Sequence, residues 1–294
     1  SGQAVGWGQS EDSKPMLTRE AALKADKTAT LTSHGYIPAR QTLALDDGVG
    51  HWIDGLVYVP NFLTQEEMAA LGADVLQGPW DGDNTNRRTQ QWGLGFHWRN
   101  RRDNVLSRLD PPRDALPESF LAPLRRLRDL KDSCADAKVL AQIPPAEDFE
   151  QCIVNDYVGG QGIKPHRDRR CFGEHVVGLS LGAPVVMDFR RADTGEVAAL
   201  LLEPGSALVL SGEARWAWQH AICPDPVHVY RGQEIRRRGA RRTSLTFRTV
   251  RDRGAIAAAD ATEVHSSAMS RRAVVLVAIV AGLAVAARLM SRAR

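Results

Sequence analysis

His166 and Asp168 stand two positions apart in the run Ile163-Lys164-Pro165-His166-Arg167-Asp168, shortly after Asn155-Asp156-Tyr157. Residues i and i+2 of an extended chain point to the same side, so this imidazole and this carboxylate can grip one metal ion. A second imidazole from a distant strand would complete a two-histidine, one-carboxylate set. That set leaves open positions on non-haem Fe(II) for a cosubstrate and oxygen. His220, 52 residues after Asp168, is the candidate. His175, close behind the pair, and His228, in the Pro-containing stretch from Cys223 to Val229, are weaker ones. An H-x-D pair alone is common, and its plain alternative is a surface turn after Gly159-Gly160.

A second constellation lies between Gly239 and Val250. Read as a strand, it puts Arg242, Ser244, Thr246 and Arg248 on one face and Thr243, Leu245, Phe247 and Thr249 on the other. Two guanidinium groups then share a face with hydroxyls between them. At about 3.3 Å per residue they start about 20 Å apart, and their long side chains can lean inward onto the two ends of a small dicarboxylate. Arginine suits such bidentate recognition. The alternative is a solvated basic edge strand, since residues 236 to 242 hold five arginines.

Taken together, Asn155-x-Tyr157-x5-Ile163-x2-His166-x-Asp168, then His220, then Arg242-x-Ser244-x3-Arg248, resembles the AlkB family of Fe(II)/2-oxoglutarate dioxygenases. The resemblance implies iron on His166, Asp168 and His220, and 2-oxoglutarate on Asn155, Tyr157, Arg242, Ser244 and Arg248, with O2 as the oxidant. Ser244 stands where the bacterial member has an asparagine, and its hydroxyl still offers a shorter hydrogen bond. The runs His175 to Phe189 and Pro204 to His220 are similar to the animal member whose dioxygenase domain is fused to a tRNA methyltransferase and which hydroxylates a modified wobble uridine. The resemblance covers about residues 54 to 251. It implies an enzyme that hydroxylates or oxidatively demethylates a nucleic-acid base, with RNA, tRNA above all, favoured over DNA. The alternatives are the same oxidation of a protein (N-methyl-lysine type) or a lipid, or a non-catalytic binding module on the same fold. Trp92, Phe96 and Trp98 fall where the family has its nucleotide-recognition loops and are candidates for stacking an extruded base. For each, core packing is the alternative.

The elements that must position these groups are short. Runs of β type cover 150 to 158, 174 to 181, 184 to 190, 197 to 203, 206 to 211, 216 to 222 and 242 to 250, broken by Gly and Pro. They predict a mainly β sandwich or jelly roll, and the family implies a double-stranded β-helix with flanking helices. Upstream, Gly55 to Pro60 reads as a strand and Thr64-Gln-Glu-Glu67 as a capping box opening a helix to about Leu76. Residues 113 to 131 read as an amphipathic helix interrupted by Pro117 and Pro123. Trp216 and Trp218 read as core on the strand that leads to His220.

With 43% apolar and 25% charged residues, the 294-residue chain can bury a substantial core, and its net charge of +3 is too small to establish a nucleic-acid partner. Clusters such as Arg99, Arg101 and Arg102 suit phosphate contacts equally with a solvated face. The four cysteines, Cys134, Cys152, Cys171 and Cys223, have neither zinc nor disulfide spacing. The domain expectation is a mostly disordered segment at 1–50, the dioxygenase domain at 51–251, a linker at 252–270 and an apolar C-terminal helix at 271–290. Its 15 uninterrupted apolar residues from Ala273 to Ala287, extended through Met290, suggest a membrane tail anchor with the catalytic domain facing the cytosol. A soluble cytoplasmic or nuclear protein is the alternative, and a monomer is assumed.

Overall fold

The computed structural model describes residues 43–44, 53–84, 87–96, 106–109, 115–130 and 137–251. Its first strands are β1 (Leu43–Ala44), β2 (Leu56–Val59), β3 (Asp81–Asn84), β4 (Arg87–Phe96) and β5 (Leu106–Arg108), with helix α1 (Gln65–Gln77) between β2 and β3. Helices α2 (Glu118–Asp129) and α3 (Ala137–Ala141) follow. Then come β6 (Gln151–Val158), β7 (Ile163–His166), β8 (Phe172–Gly182), β9 (Val185–Arg191), β10 (Val197–Leu202) and β11 (Ala207–Leu210). A short helix, α4 (Gly212–Trp216), precedes β12 (Trp218–Ile222), β13 (Val227–Tyr230), β14 (Gln233–Arg236) and β15 (Arg241–Val250).

The strands form two main sheets. The larger runs β2-β11-β8-β15-β6-β4-β3, with β5 beside β4; the smaller runs β1-β10-β9-β12-β7, and β13 with β14 forms a separate hairpin. Apart from the parallel β1–β10 pair, every pairing among the described residues is antiparallel. This is the mainly β, two-sheet architecture that the run pattern predicts. Alternation on the large sheet separates two cores. Val177, Leu179, Leu245 and Phe247 pack with Leu71 of α1 and Phe120, Leu124 and Leu127 of α2. Leu56, Tyr157, Val176 and Leu208 pack with Val185, Phe189, Leu200 and Trp218 of the small sheet.

The capping box forms as read: the Glu67 backbone N–H donates to Thr64 Oγ1 at 3.2 Å, and the Thr64 N–H donates to the Glu67 carboxylate at 2.8 Å. Pro117 is the residue before α2, and Pro123 is buried within it. The stretch 216 to 222, read as one strand, is divided: Trp216 ends α4 and β12 starts at Trp218. Strand β4 contains Gly93, whose φ of 73° lies in the left-handed region and where a Cβ would strike the Glu150 carbonyl. Before this point the even residues Gln90 and Trp92 face the helices; after it Phe96 faces the gap between the sheets.

The membrane anchor is corrected. Among the described residues no helix is long and apolar enough to cross a membrane, and a 15-residue apolar run falls short of the ~20 that a bilayer core needs. Residues 271–290 themselves lie outside the described residues, as do the linker at 252–270, Trp98, Arg99, Arg101, Arg102, Cys134 and nearly all of segment 1–50. Cys152, Cys171 and Cys223 are free thiols.

Asp188 gives a stability test away from the site. It is buried on β9 between Ala199 of β10 and Ala221 of β12, and burial pushes its carboxyl up to about 7. A raised folded-state pKa means that stability is fully present below the unfolded value and is lost as pH rises toward the folded one, here from about 4 to about 7. Asp188→Asn is therefore expected to raise stability at pH 8 by roughly 2 to 4 kcal/mol and to leave it unchanged below pH 4. Urea melts at the two pH values read this directly.

Candidate active site

The gap between the sheets holds a cavity of about 530 Å³ whose lining includes His166, Asp168, His220, Asn155, Tyr157, Arg242, Ser244 and Arg248. Strand pairing assembles it. His220 of β12 stands directly opposite His166 of β7, which brings the two rings to 4.3 Å between centroids. Asp168 follows two residues after the end of β7, and its Oδ2 lies 3.7 Å from His220 Nε2. His166 Nδ1 is 2.8 Å from the Lys164 carbonyl. A carbonyl only accepts, so Nδ1 carries the proton and Nε2 keeps its lone pair.

The electrostatics suit a dication. Burial pushes the Asp168 carboxyl up, but the adjacent Arg248, then His220, His166 and Arg215, hold it well below the usual carboxylate range. Burial, with His166 alongside, lowers His220 to about 3, and burial also lowers His166. At neutral pH the trio thus offers two neutral imidazoles and one carboxylate, with no proton to displace. Among the described residues no group of His, Cys, Asp and Glu is already drawn to the spacing of a closed metal cage. Gathering these three on an ion therefore takes a side-chain adjustment.

The alternating strand β15 is central, paired to β6 on one side and β8 on the other, so the reading as a solvated edge is excluded. Ser244 stands between Asn155 and Ser180, and Arg242 between Tyr157 and Gly182. The two arginines differ in what they hold. Arg248 is committed: Nε and Nη2 donate to Asp168 Oδ1 at 2.7 and 2.5 Å, and Nη1 donates to Gln151 at 3.0 Å. Arg242 is 3% exposed and donates through Nη2 to Ser180 Oγ at 3.1 Å, while its Nε and Nη1 have no partner. Burial lowers its pKa to about 10. A buried guanidinium with two orphan donors is costly unless an anion meets it, so the site fits the far carboxylate of a dicarboxylate.

Of the other expectations, Phe96 lines the cavity beside Phe172, whereas Trp92 packs edgewise on Phe120 at 5.3 Å in the helix-side core. His175 and His228 do not line the cavity. His228 instead accepts from the Val186 N–H at 3.1 Å, and its other nitrogen faces the Cys223 carbonyl and Arg237. Two arginines that support the site escaped the sequence reading. Arg215 of α4, 2% exposed, donates to the carbonyls of Asp168, Arg169 and Gly173 at 2.9, 2.7 and 3.3 Å and so pins the loop that carries the carboxylate. Arg87 of β4 donates through Nε to Asn155 Oδ1 at 2.7 Å. Neither has a periodic signal; only the folded register reveals them.

Comparisons with known proteins agree on the class. A family model described as the 2OG-Fe(II) oxygenase superfamily matches residues 55–248. A Xenopus tropicalis protein named tRNA (carboxymethyluridine(34)-5-O)-methyltransferase alkbh8 is 29% identical over 218 residues, covering 67% of this chain and 32% of that protein. An Arabidopsis thaliana protein named Alkylated DNA repair protein ALKBH8 homolog is 33% identical over 218 residues, covering 68% of this chain and 59% of that one. The chain thus spans about a third and three fifths of these relatives. The solved structure of OsALKBH1 superposes with a TM-score of 0.50 at 18% identity, over 68% of this chain and 100% of that one, and shows the shared fold.

Proposed function

The chain belongs to the 2OG-Fe(II) oxygenase superfamily, and we propose that it hydroxylates or oxidatively demethylates a base in RNA, tRNA being the favoured form. The observation that carries this reading is one cavity, lined also by Lys164, Arg167 and Arg169, in which two neutral histidines, an ionised aspartate and an arginine with open donors meet. His166, Asp168 and His220 would hold Fe(II), and Arg242, with Asn155, Tyr157 and Ser244 around it, would hold 2-oxoglutarate. When bound, these groups supply oxygen activation: the keto acid loses carbon dioxide to give succinate, and the second oxygen atom goes to a substrate carbon.

The protein's part is orientation and exclusion of water. Arg248 keeps Asp168 ionised and aimed, and Arg215 fixes the backbone beneath it. Ile163, Phe172, Met187 and Ile222 give the cavity apolar walls that limit side reactions with water. Lys164, Arg167 and Arg169 also line the cavity, the first two of them exposed, and they suit the phosphates flanking an extruded base. The names of the two relatives, one for a tRNA uridine and one for alkylated DNA, favour a nucleic-acid base over other substrates.

A competition among substrate classes tests the reading. Succinate release by the Fe(II)-loaded protein is expected to rise at least about 10-fold with tRNA, less with duplex DNA, and not with N-methyl-lysine peptides or phospholipid vesicles. Stimulation by peptide or lipid alone would sink the nucleic-acid reading. No succinate under any condition would leave a binding module.

A further inference from the structure

Arg248 reaches Asp168 with two of its nitrogens, and both meet the same oxygen. Nε and Nη2 donate to Oδ1, while Oδ2 faces His220 Nε2 at 3.7 Å. The guanidinium thus decides which carboxylate oxygen is left for a metal ion, but only while its own plane is fixed. Phe172 covers one face, with the guanidinium carbon 4.9 Å from the ring centroid. The remaining edge is held by Gln151, whose Oε1 accepts from Nη1 at 3.0 Å.

Gln151 is fully buried, does not line the cavity, and its Nε2 has no partner among the described residues. A buried amide with unpaired N–H groups costs stability, so its presence needs a reason. The strand register supplies one. Gln151 of β6 stands directly opposite Arg248 of β15, which brings its carbonyl to Nη1 across one strand pair. On its other side stands Gly93 of β4, which has no side chain to meet the amide. An apolar residue here would remove the orphan donors but leave Nη1 unpaired. A glutamate would accept as well, yet it would draw on the positive charge that Arg248 presents to Asp168. Glutamine is the neutral acceptor, fixing the guanidinium without neutralising it.

We propose that Gln151 is a positioning residue for the metal site: it holds the Arg248 fork on Asp168 Oδ1, so that the carboxylate turns Oδ2 toward the ion. This rests on reading His166, Asp168 and His220 as the metal ligands. Gln151 acts through Arg248 alone, because among the described residues its side chain bonds to none of the three. The chain of contacts runs from β6 to β15 to the loop after β7, and each link is buried.

Co(II) titrations of the full chain at neutral pH, read by visible absorption, test this, with melting temperatures of the metal-free proteins taken alongside. Gln151→Met is expected to weaken Co(II) binding by about 10-fold, the lower end of what groups behind a metal ligand contribute, without lowering the melting temperature in step. Gln151→Glu, which keeps the acceptor, should bind Co(II) no more weakly than the wild type. The deciding comparison is a double-mutant cycle: in an Arg248→Met background, Gln151→Met should cost no further affinity, since the group it acts through is gone. Gln151→Asn, which draws the same amide back by one methylene, carries the cycle if the methionine variant does not fold. An equal loss of affinity in both backgrounds would overturn the proposal, as would wild-type affinity in the single variant. Equal Co(II) binding by the wild type and His166→Ala would instead remove the metal assignment, and this inference with it.

Discussion

His166→Ala is expected to lower Fe(II)-dependent succinate release by at least about 100-fold, beyond the 10- to 100-fold that loss of a group behind a metal ligand produces. Thermal stability should barely change, because the ring removed is neutral and only partly buried. Asp168→Ala should abolish turnover equally but for two reasons at once. Its carboxylate is the partner of Arg248, which is itself 7% exposed, and removing one member of a buried ion pair costs about 3 to 5 kcal/mol. Iron binding by the two variants, measured beside their melting temperatures, separates the effects: the histidine variant loses metal and stays folded, whereas the aspartate variant loses both. Unchanged turnover in His166→Ala would remove the metal assignment.

Arg242→Met should raise the KM for 2-oxoglutarate by about 100-fold, the order expected when a charged hydrogen-bonded contact to a carboxylate is lost. It should do so without destabilising the ligand-free protein. The guanidinium is buried with Nε and Nη1 unpaired, so its replacement by an apolar chain of similar length is expected to be neutral or to stabilise by about 1 to 3 kcal/mol. Differential scanning fluorimetry gives the matching signature. Adding 2-oxoglutarate raises the melting temperature of the wild type by mass action and leaves that of Arg242→Met where it was. A variant that melts earlier yet keeps its KM would make Arg242 a structural residue.

Much of this site was legible because strand alternation alone assigns a face. Arg242, Ser244 and Arg248 all line the cavity, and Leu245 and Phe247 lie in the helix-side core, as a period of two requires. The His166 and Asp168 pair was legible for the same reason. His220 was harder, since its pairing with His166 joins strands far apart in sequence and nothing local specifies it.

Where the reading failed, the cause is local. Pro165 hides β7, a strand of four residues with a proline inside it. Gly93 shifts the alternation of β4, so Trp92 turns into the core while Phe96 reaches the cavity. Arg87 and Arg215 escaped because a buried arginine is set by its partners in space. The apolar tail misled because composition alone cannot tell a short membrane span from another apolar segment.

The most direct test of the account is a single-turnover reaction under heavy-isotope oxygen gas, with the Fe(II)-loaded chain, 2-oxoglutarate and transfer RNA, read by mass spectrometry. The account predicts one labelled atom in succinate and the other, in equal amount, in a hydroxylated nucleoside or in the aldehyde released from it, with both signals absent in His166→Ala. Label in succinate with every nucleoside of RNA and DNA unchanged would contradict it.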